Sequence, residues 1–478
     1  MAGGLTLLVI EAAGSNPLVT RLVPRGDLGG DPLAFEAAHT AELERAAAAG
    51  LSQVLYAKSP GGVLVAAART ARFRPLIERA TSGTGIDPDL VEAIVLLESG
   101  GRPDVIAGSD PAGATGLTQI LAETGSTFLG MHIDLAKSRR LSKQIAAAAH
   151  RGDQSKELRL EARRQAIDAR FDPAKAVAGT VRYLSTARAR FGRDDLAAVS
   201  YHMGIGNLKN VLRAYAQAPA GTPIGDVVAQ NDLSWARIFF DSSPDRHAAA
   251  WRLLAGFGDD SKTYYWRVLA AEQIMSLFRH DPGQLEALAY LHERKASAEE
   301  VLHPLPAADS FSTPSDLERA RNEGLLQALP DNPRQLHFRI DPHLGELAPL
   351  LGQSPRLYRQ LRPEALALLL YLAARVHEIS GAATPLTVTS AVRDDAYQQL
   401  VVEGNSEATT GYSLHTTGYA FDLLRHYGST AQAQALQYEL DRLQALDLIA
   451  WVREPADIHI TVASQAGELI PAVLKPAA

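Results

Sequence analysis

The amino-acid sequence predicts a multidomain chain in which a mainly α-helical domain is followed by a smaller α+β domain. Three observations carry that reading. From Arg72 to about Arg279 apolar residues recur at spacings of three and four, and no run alternates as a strand would. At residues 292–316 Pro, Ser and charged residues crowd together, the composition of a connection between domains. Beyond it, an apolar helix opened by Pro363 is followed by the β-type runs Leu386-Thr387-Val388-Thr389 and Ile458-His459-Ile460-Thr461-Val462. The expected division is residues 1–70, an N-terminal region to which the sequence assigns no role, then 71–285, helical, 286–325, a linker, and 326–478, α+β.

Each element has its own local warrant. Residues 36–49 are alanine-rich and read as a helix, between Gly-Gly pairs at 29–30 and 61–62. Asp87-Pro88 followed by Leu90, Ile94 and Leu97 predicts a helix capped by Asp87, with Pro88 in its first turn and Gly100-Gly101 ending it. Residues 137–170 mix both charge signs with alanine and read as a solvated helical hairpin inserted into the domain. In the last third, a helix over 364–379 and another over about 430–446 alternate with the β-type runs.

Composition narrows the function. With 46% hydrophobic and 21% charged residues over 478 positions, the chain has the profile of a folded globular protein rather than a disordered one. Its formal net charge of −7 provides no global basic field for nucleic acid or an anionic membrane. No cysteine is present, so disulfides, thiolate metal clusters and a cysteine nucleophile are excluded, and any metal must be held by histidines and carboxylates. The apolar run Leu5–Ile10 contains Thr6, stops at Glu11 and follows no basic stretch, so we expect neither a signal peptide nor a membrane span there.

Glu98 falls in the last turn of the helix that Asp87 caps, where the negative end of the helix dipole and apolar surroundings both disfavour the carboxylate. A carboxylic acid still protonated near neutral pH suits glycosidic cleavage, which must deliver a proton to the leaving oxygen. A helix-end glutamate is ordinarily a solvated surface residue, so its company matters. After Glu98-Ser99 come the glycine-rich stretch from Ala107 to Ile120, then Phe171-Asp172-Pro173, Tyr183-Leu184, and Ala198-Val199-Ser200-Tyr201-His202-Met203-Gly204. In this order the set resembles the soluble lytic transglycosylase family, whose domain is lysozyme-like. The resemblance implies Glu98 as catalytic acid and base, and Ser99, Gln119, Tyr201 and, more loosely, Tyr264 as substrate-contacting residues. It departs at Thr118, where methionine is usual, and at His202, where asparagine is usual. It further implies attack by the sugar's own 6-hydroxyl, closing a 1,6-anhydro ring without water. Asp104 and Asp110 remain as second carboxylates for ordinary hydrolysis.

In the α+β domain, His415 and Asp422 sit seven residues apart around a glycine-containing turn, and His459 lies in a β-type run. Two imidazoles and a carboxylate suit zinc with a position left open. The segment Ser413-Leu414-His415-Thr416-Thr417-Gly418-Tyr419-Ala420-Phe421-Asp422, with Ser390 and Arg393 upstream, resembles the D-alanyl-D-alanine carboxypeptidase family of zinc peptidases. By that resemblance His415, Asp422 and His459 hold zinc, Ser413 and Arg393 contact substrate, and a glutamate three residues before the last histidine acts as base. Here that position is Ala456, so Glu454 is the first candidate base and Asp457 the second.

Both resemblances imply peptidoglycan as partner, the glycan strands for the first domain and the peptide stems for the second, with an extracytoplasmic location. The readings left open are a non-catalytic, wall-binding C-terminal module, or a structural part of a phage or secretion apparatus. Oligomeric state is not legible.

Overall fold

The computed structural model describes residues 22–25, 28–294, 298–304, 310–404 and 409–476. The Leu5–Ile10 run lies outside the described residues.

The helical half is organised around two helices. Pro88–Ser99 is buried on nearly every side from Leu90 to Leu96, as an all-round apolar helix must be at the centre of a domain. Its start and stop are those expected. The Asp87 carboxylate accepts from the Asp89 backbone N–H at 2.8 Å, and Gly100, at φ +58°, donates back to the Leu96 carbonyl. Alongside runs Tyr264–His280, which buries Trp266, Val268, Ala270, Ile274 and Met275. The one charge inside this packing, Glu92, is paired with Arg74 and Arg279, which is what allows it to be buried.

The alanine-rich helix forms as Thr40–Gly50 and packs on Tyr264–His280, so this part of the N-terminal region belongs to the helical core. The same region also reaches the C-terminal half. Asp31 lies 2.8 Å from Arg442 and accepts from the Tyr371 hydroxyl at 2.9 Å, next to Arg375 and the buried Glu439. Leu22–Pro24 (β1) pairs antiparallel with Leu474–Pro476 (β9), joining the two ends of the described chain. The charged hairpin is present as Leu135–His150 and Gln154–Ile167, closed by its own small cluster of Leu141, Ile145, Ala148 and Leu160.

The C-terminal half holds a five-stranded sheet. In chain order, β2 (Gln327–Ala328) pairs with β4 (Gln360–Leu361), separately from the sheet formed by β3 (Phe338–Ile340), β5 (Leu386–Ser390), β6 (Ala420–Leu424), β7 (Ile449–Arg453) and β8 (Asp457–Val462). The sheet order is β3-β5-β6-β8-β7, parallel only between β3 and β5. Helices Pro363–Ser380 and Thr430–Ala445 pack together and against it. This is the expected α+β mixture.

The segment expected as a linker is largely helical instead, carrying the end of Pro282–Arg294, then Ala298–Leu302 and Pro314–Asn322. The reason is local. Thr313 and Asp316 form a reciprocal capping box that starts a helix, and Phe311, Leu317 and Ala320 bury against Tyr358, Val392 and Tyr397. Pro314 opens this helix just after its Thr313 cap. Among the described residues no helix is long and apolar enough to cross a membrane.

Candidate functional site

Glu98 is half-buried at the end of its helix, and its carboxyl is pushed up to about 7 by burial, against the opposing pull of a tyrosine hydroxyl and the Arg267 guanidinium. That hydroxyl belongs to Tyr264, which donates to Glu98 Oε1 at 2.8 Å. Tyr264 is fully buried and stacked on His202 at 4.9 Å, and His202 Nδ1 lies 3.0 Å from Ser261 Oγ. His202 thus braces the tyrosine that holds the acid, a use for the imidazole at a position where the resemblance expects asparagine.

Tyr201 stands beside the same carboxyl. Its hydroxyl donates to the Thr118 carbonyl at 2.7 Å and lies 3.1 Å from Thr180 Oγ1, with Tyr183 edge-on at 5.3 Å. Two expected substrate contacts are engaged within the protein. Ser99 is buried and donates to the Leu117 carbonyl at 2.8 Å, tying the glycine-rich loop to the end of the acid's helix. Gln119, at φ +51°, donates its side-chain amide to the Gly116 carbonyl at 2.8 Å and to that of Val105 at 3.3 Å. Both side chains hold the glycine-rich loop in shape next to the acid's helix.

The loop itself hangs on a buried arginine that sequence reasoning missed. Arg170 is fully buried, pairs with Asp168 at 2.7 Å, and donates to the carbonyls of Pro111, Gly113 and Ile120 at 2.7–3.2 Å. Gly116 packs so closely beneath it that a Cβ would lie 1.9 Å from the Arg170 carbonyl oxygen. Of the two carboxylates weighed for hydrolysis, Asp110 is held by Arg139 at 2.8 Å on the exposed hairpin. Asp104 faces Glu161 and Arg164 there. The acidic group that does influence Glu98 is Asp260, itself paired with Arg267. Arg267 was legible in principle, being one helical turn beyond Tyr264.

A second cluster assembles on the sheet. Asp422 in β6 and His459 in β8 are directly paired across the ladder, and His415 comes from the short turn Leu414–Thr417 ended by Gly418 at φ +77°. One donor atom from each lies within 4.8 Å of the others. His415 Nδ1 donates to the Ala391 carbonyl at 2.8 Å, which leaves Nε2 as the lone-pair nitrogen, 3.2 Å from Asp422 Oδ2. His459 Nδ1 lies 2.8 Å from Asp422 Oδ1. Burial, then the nearby Arg393, pull His415 down to about 4, so its imidazole is neutral at physiological pH. Burial works against the Asp422 charge, but the two imidazoles override it and hold that carboxyl well below the usual range.

Arg393 reaches the cluster, 3.6 Å from Asp422 Oδ2, and is steadied by Ser390 Oγ at 2.8 Å and Gln398 Oε1 at 2.9 Å. Ser413 is buried, and its carbonyl accepts from the Thr416 hydroxyl at 2.7 Å, so it shapes the histidine's turn. Asp457 accepts from Thr389 Oγ1 at 2.9 Å. Glu454 sits exposed in the β7–β8 turn, its carboxyl raised first by burial and then by Asp422. One further residue, Glu299, arrives from the segment between the two halves, 3.6 Å from His459 Nε2. Nothing in its local sequence marks it.

The helical half thus presents a carboxyl raised toward neutrality under a tyrosine hydroxyl, in a segment that the comparisons with known proteins address. Residues 75–221 match the family described as the transglycosylase SLT domain, so the chain contains an SLT-type transglycosylase domain there. Similar curated proteins carry the name endo-type membrane-bound lytic murein transglycosylase A. The one from Citrobacter koseri is 35% identical over 78 residues, 16% of this chain and 37% of that protein. Those from Klebsiella pneumoniae and Salmonella paratyphi B are 38% and 36% identical over 69 residues, 14% of this chain and 32% of each of theirs. The chain thus spans about a third of the length of the curated relatives it matches. The matched family segment contains Glu98, Ser99, Gln119 and Tyr201 and ends before Tyr264.

Proposed function

We propose that this protein is a lytic transglycosylase of bacterial peptidoglycan, acting outside the cytoplasm, whose C-terminal half engages the peptide stems of the same polymer. The observation that carries the reading is an acid near pKa 7 under a tyrosine hydroxyl, inside a segment that matches the SLT domain. The name of the relatives, with its murein substrate and membrane-bound location, supports both the polymer and the compartment.

In the proposed reaction, protonated Glu98 gives its proton to the oxygen leaving C1 of N-acetylmuramic acid, while that sugar's 2-acetamido carbonyl stabilises C1. The Glu98 carboxylate then takes the proton from the 6-hydroxyl as O6 bonds to C1. One C–O bond breaks, one forms, and Glu98 ends protonated without consuming water. A carboxyl of pKa about 7 serves both steps, because acid and base forms are then nearly isoenergetic.

The C-terminal cluster fits zinc by the chemistry of its donors, one buried and one half-buried imidazole and an ionised carboxylate with converging atoms. His415, Asp422 and His459 would hold it. When bound, zinc supplies Lewis acidity toward a peptide carbonyl and toward water. Arg393 would fix a carboxylate of the stem peptide through its planar fork, and Glu454 would accept the proton of the attacking water. A second reading, a wall-binding module that does not cut, is favoured by Ala456 at the usual base position and by the exposure of Glu454.

Mass spectrometry of peptidoglycan digested by the full chain, with and without a chelator, tests all of this. The expected products are anhydro-ended fragments, lost in Glu98→Gln and retained with chelator. Products with a hydrated reducing end would refute the anhydro mechanism. Stems trimmed only without chelator support the peptidase, and unchanged stems with zinc bound support the binding module.

A further inference from the structure

We infer that Glu299, carried by the segment between the two halves, is the positioning carboxylate of the C-terminal metal site. In this role it orients His459 from the outer edge of its ring. The inference rests on the metal reading of His415, Asp422 and His459.

The two nitrogens of an imidazole point to opposite edges of the ring. On His459, Nδ1 faces the cluster, 2.8 Å from Asp422 Oδ1, and Nε2 faces away from it, 3.6 Å from Glu299 Oε1 and 3.3 Å from Thr461 Oγ1. A carboxylate only accepts, so in the metal-free cluster the nearer Asp422 oxygen takes the Nδ1 proton; a metal held there would displace that proton, and the Nε2 proton that remains would face Glu299. His415 is arranged the same way round, its Nδ1 proton on the Ala391 carbonyl and its Nε2 lone pair inward. Both histidines therefore have an outer acceptor, the arrangement that fixes ring orientation and raises basicity at histidine metal ligands. Glu299 approaches the outer edge of the ring and so acts through His459.

The short helix that carries it, Ala298–Leu302, packs against β7 and β8, the strands beside and bearing His459. Its exit is anchored as well. Buried His303 donates from Nε2 to the Val462 carbonyl at 2.7 Å, its ring stacks on Tyr419 at 4.0 Å, and its carbonyl accepts from the Tyr412 hydroxyl at 2.9 Å. Metal affinity thereby becomes coupled to docking of the connecting segment.

The test is zinc affinity of the full chain, measured by competition with a chromophoric chelator, for wild type, Glu299→Gln and Glu299→Ala, with His415→Ala as control. Cobalt(II) absorption serves as a second readout. The expected result is one zinc bound by wild type, affinity lower by about 10- to 100-fold in Glu299→Ala, a smaller loss in Glu299→Gln, and a shifted cobalt band in both. Glu299→Gln keeps size and burial, so it carries the test if the alanine variant does not fold. Equal affinities and identical cobalt spectra in wild type and the Glu299 variants would overturn the inference alone. Failure of wild type to bind zinc would overturn the metal reading beneath it.

Discussion

Glu98→Gln should stabilise the protein at alkaline pH while abolishing its activity. In the fold the carboxyl is raised from 4.5 to about 7. The native state therefore binds more protons than the unfolded state between those values, and stability falls as pH rises through that window. A rise of about 2.5 in pKa, at about 1.4 kcal/mol for each, amounts to roughly 3 kcal/mol lost by pH 8, an upper bound because Glu98 keeps some contact with solvent. Glutamine keeps the shape and can still accept the Tyr264 hydroxyl, but it carries no charge to be forced into burial. The assay is urea unfolding at pH 4 and pH 8 followed by tryptophan fluorescence. Three of the four tryptophans, Trp235, Trp251 and Trp266, lie in the helical half and report on it. The wild type should lose up to about 3 kcal/mol relative to the variant between the two pH values. Parallel pH profiles, or a variant that weakens equally, would refute the claim that burial is what raises this acid.

Three further outcomes follow from the same geometry. Tyr264→Phe removes a hydrogen bond to the ionised form of Glu98, worth about 1.5–3 kcal/mol, so the alkaline limb of the pH–rate profile should move up by about 1–2 pH units. A limb that stays or moves down would contradict this. Arg170→Met takes the guanidinium away from buried Asp168 and from three loop carbonyls, so it should cost about 3–5 kcal/mol in thermal or urea unfolding and lose glycan cleavage. Asp31→Asn removes the carboxylate facing Arg375 and Arg442. Burial opposes the Asp31 charge, yet the two arginines hold its carboxyl below 3.8, so its contribution is present above that value and lost as pH falls below it. The C-terminal half of the asparagine variant should melt earlier at neutral pH, by about 1–3 kcal/mol, and converge with wild type in acid.

What could be read in advance was whatever local chemistry dictates. The acid's helix announces both its ends through Asp87-Pro88 and Gly100-Gly101, because caps and left-handed glycines satisfy orphan backbone groups wherever the chain later packs. The hairpin and the β-type run that becomes β8 were legible from local composition as well. The connecting segment misled because composition averages over residues. Its Thr313–Asp316 capping box and its spaced Phe311, Leu317 and Ala320 outweigh the prolines around them.

Through the two resemblances that its motifs carry, the sequence proposed Glu98, Tyr201 and Tyr264, and His415, Asp422 and His459 as site residues. The sequence alone also excluded thiol chemistry, by having no cysteine. Which groups serve them was decided only in three dimensions. Arg170 under the loop, His202 behind Tyr264, the Ala391 carbonyl behind His415 and Glu299 behind His459 are partners brought near by packing across long stretches of chain. The protonation of an acid and the free nitrogen of an imidazole depend on the distance to a neighbour and on exclusion of water. Both are properties of the folded surroundings, for which sequence separation is no guide.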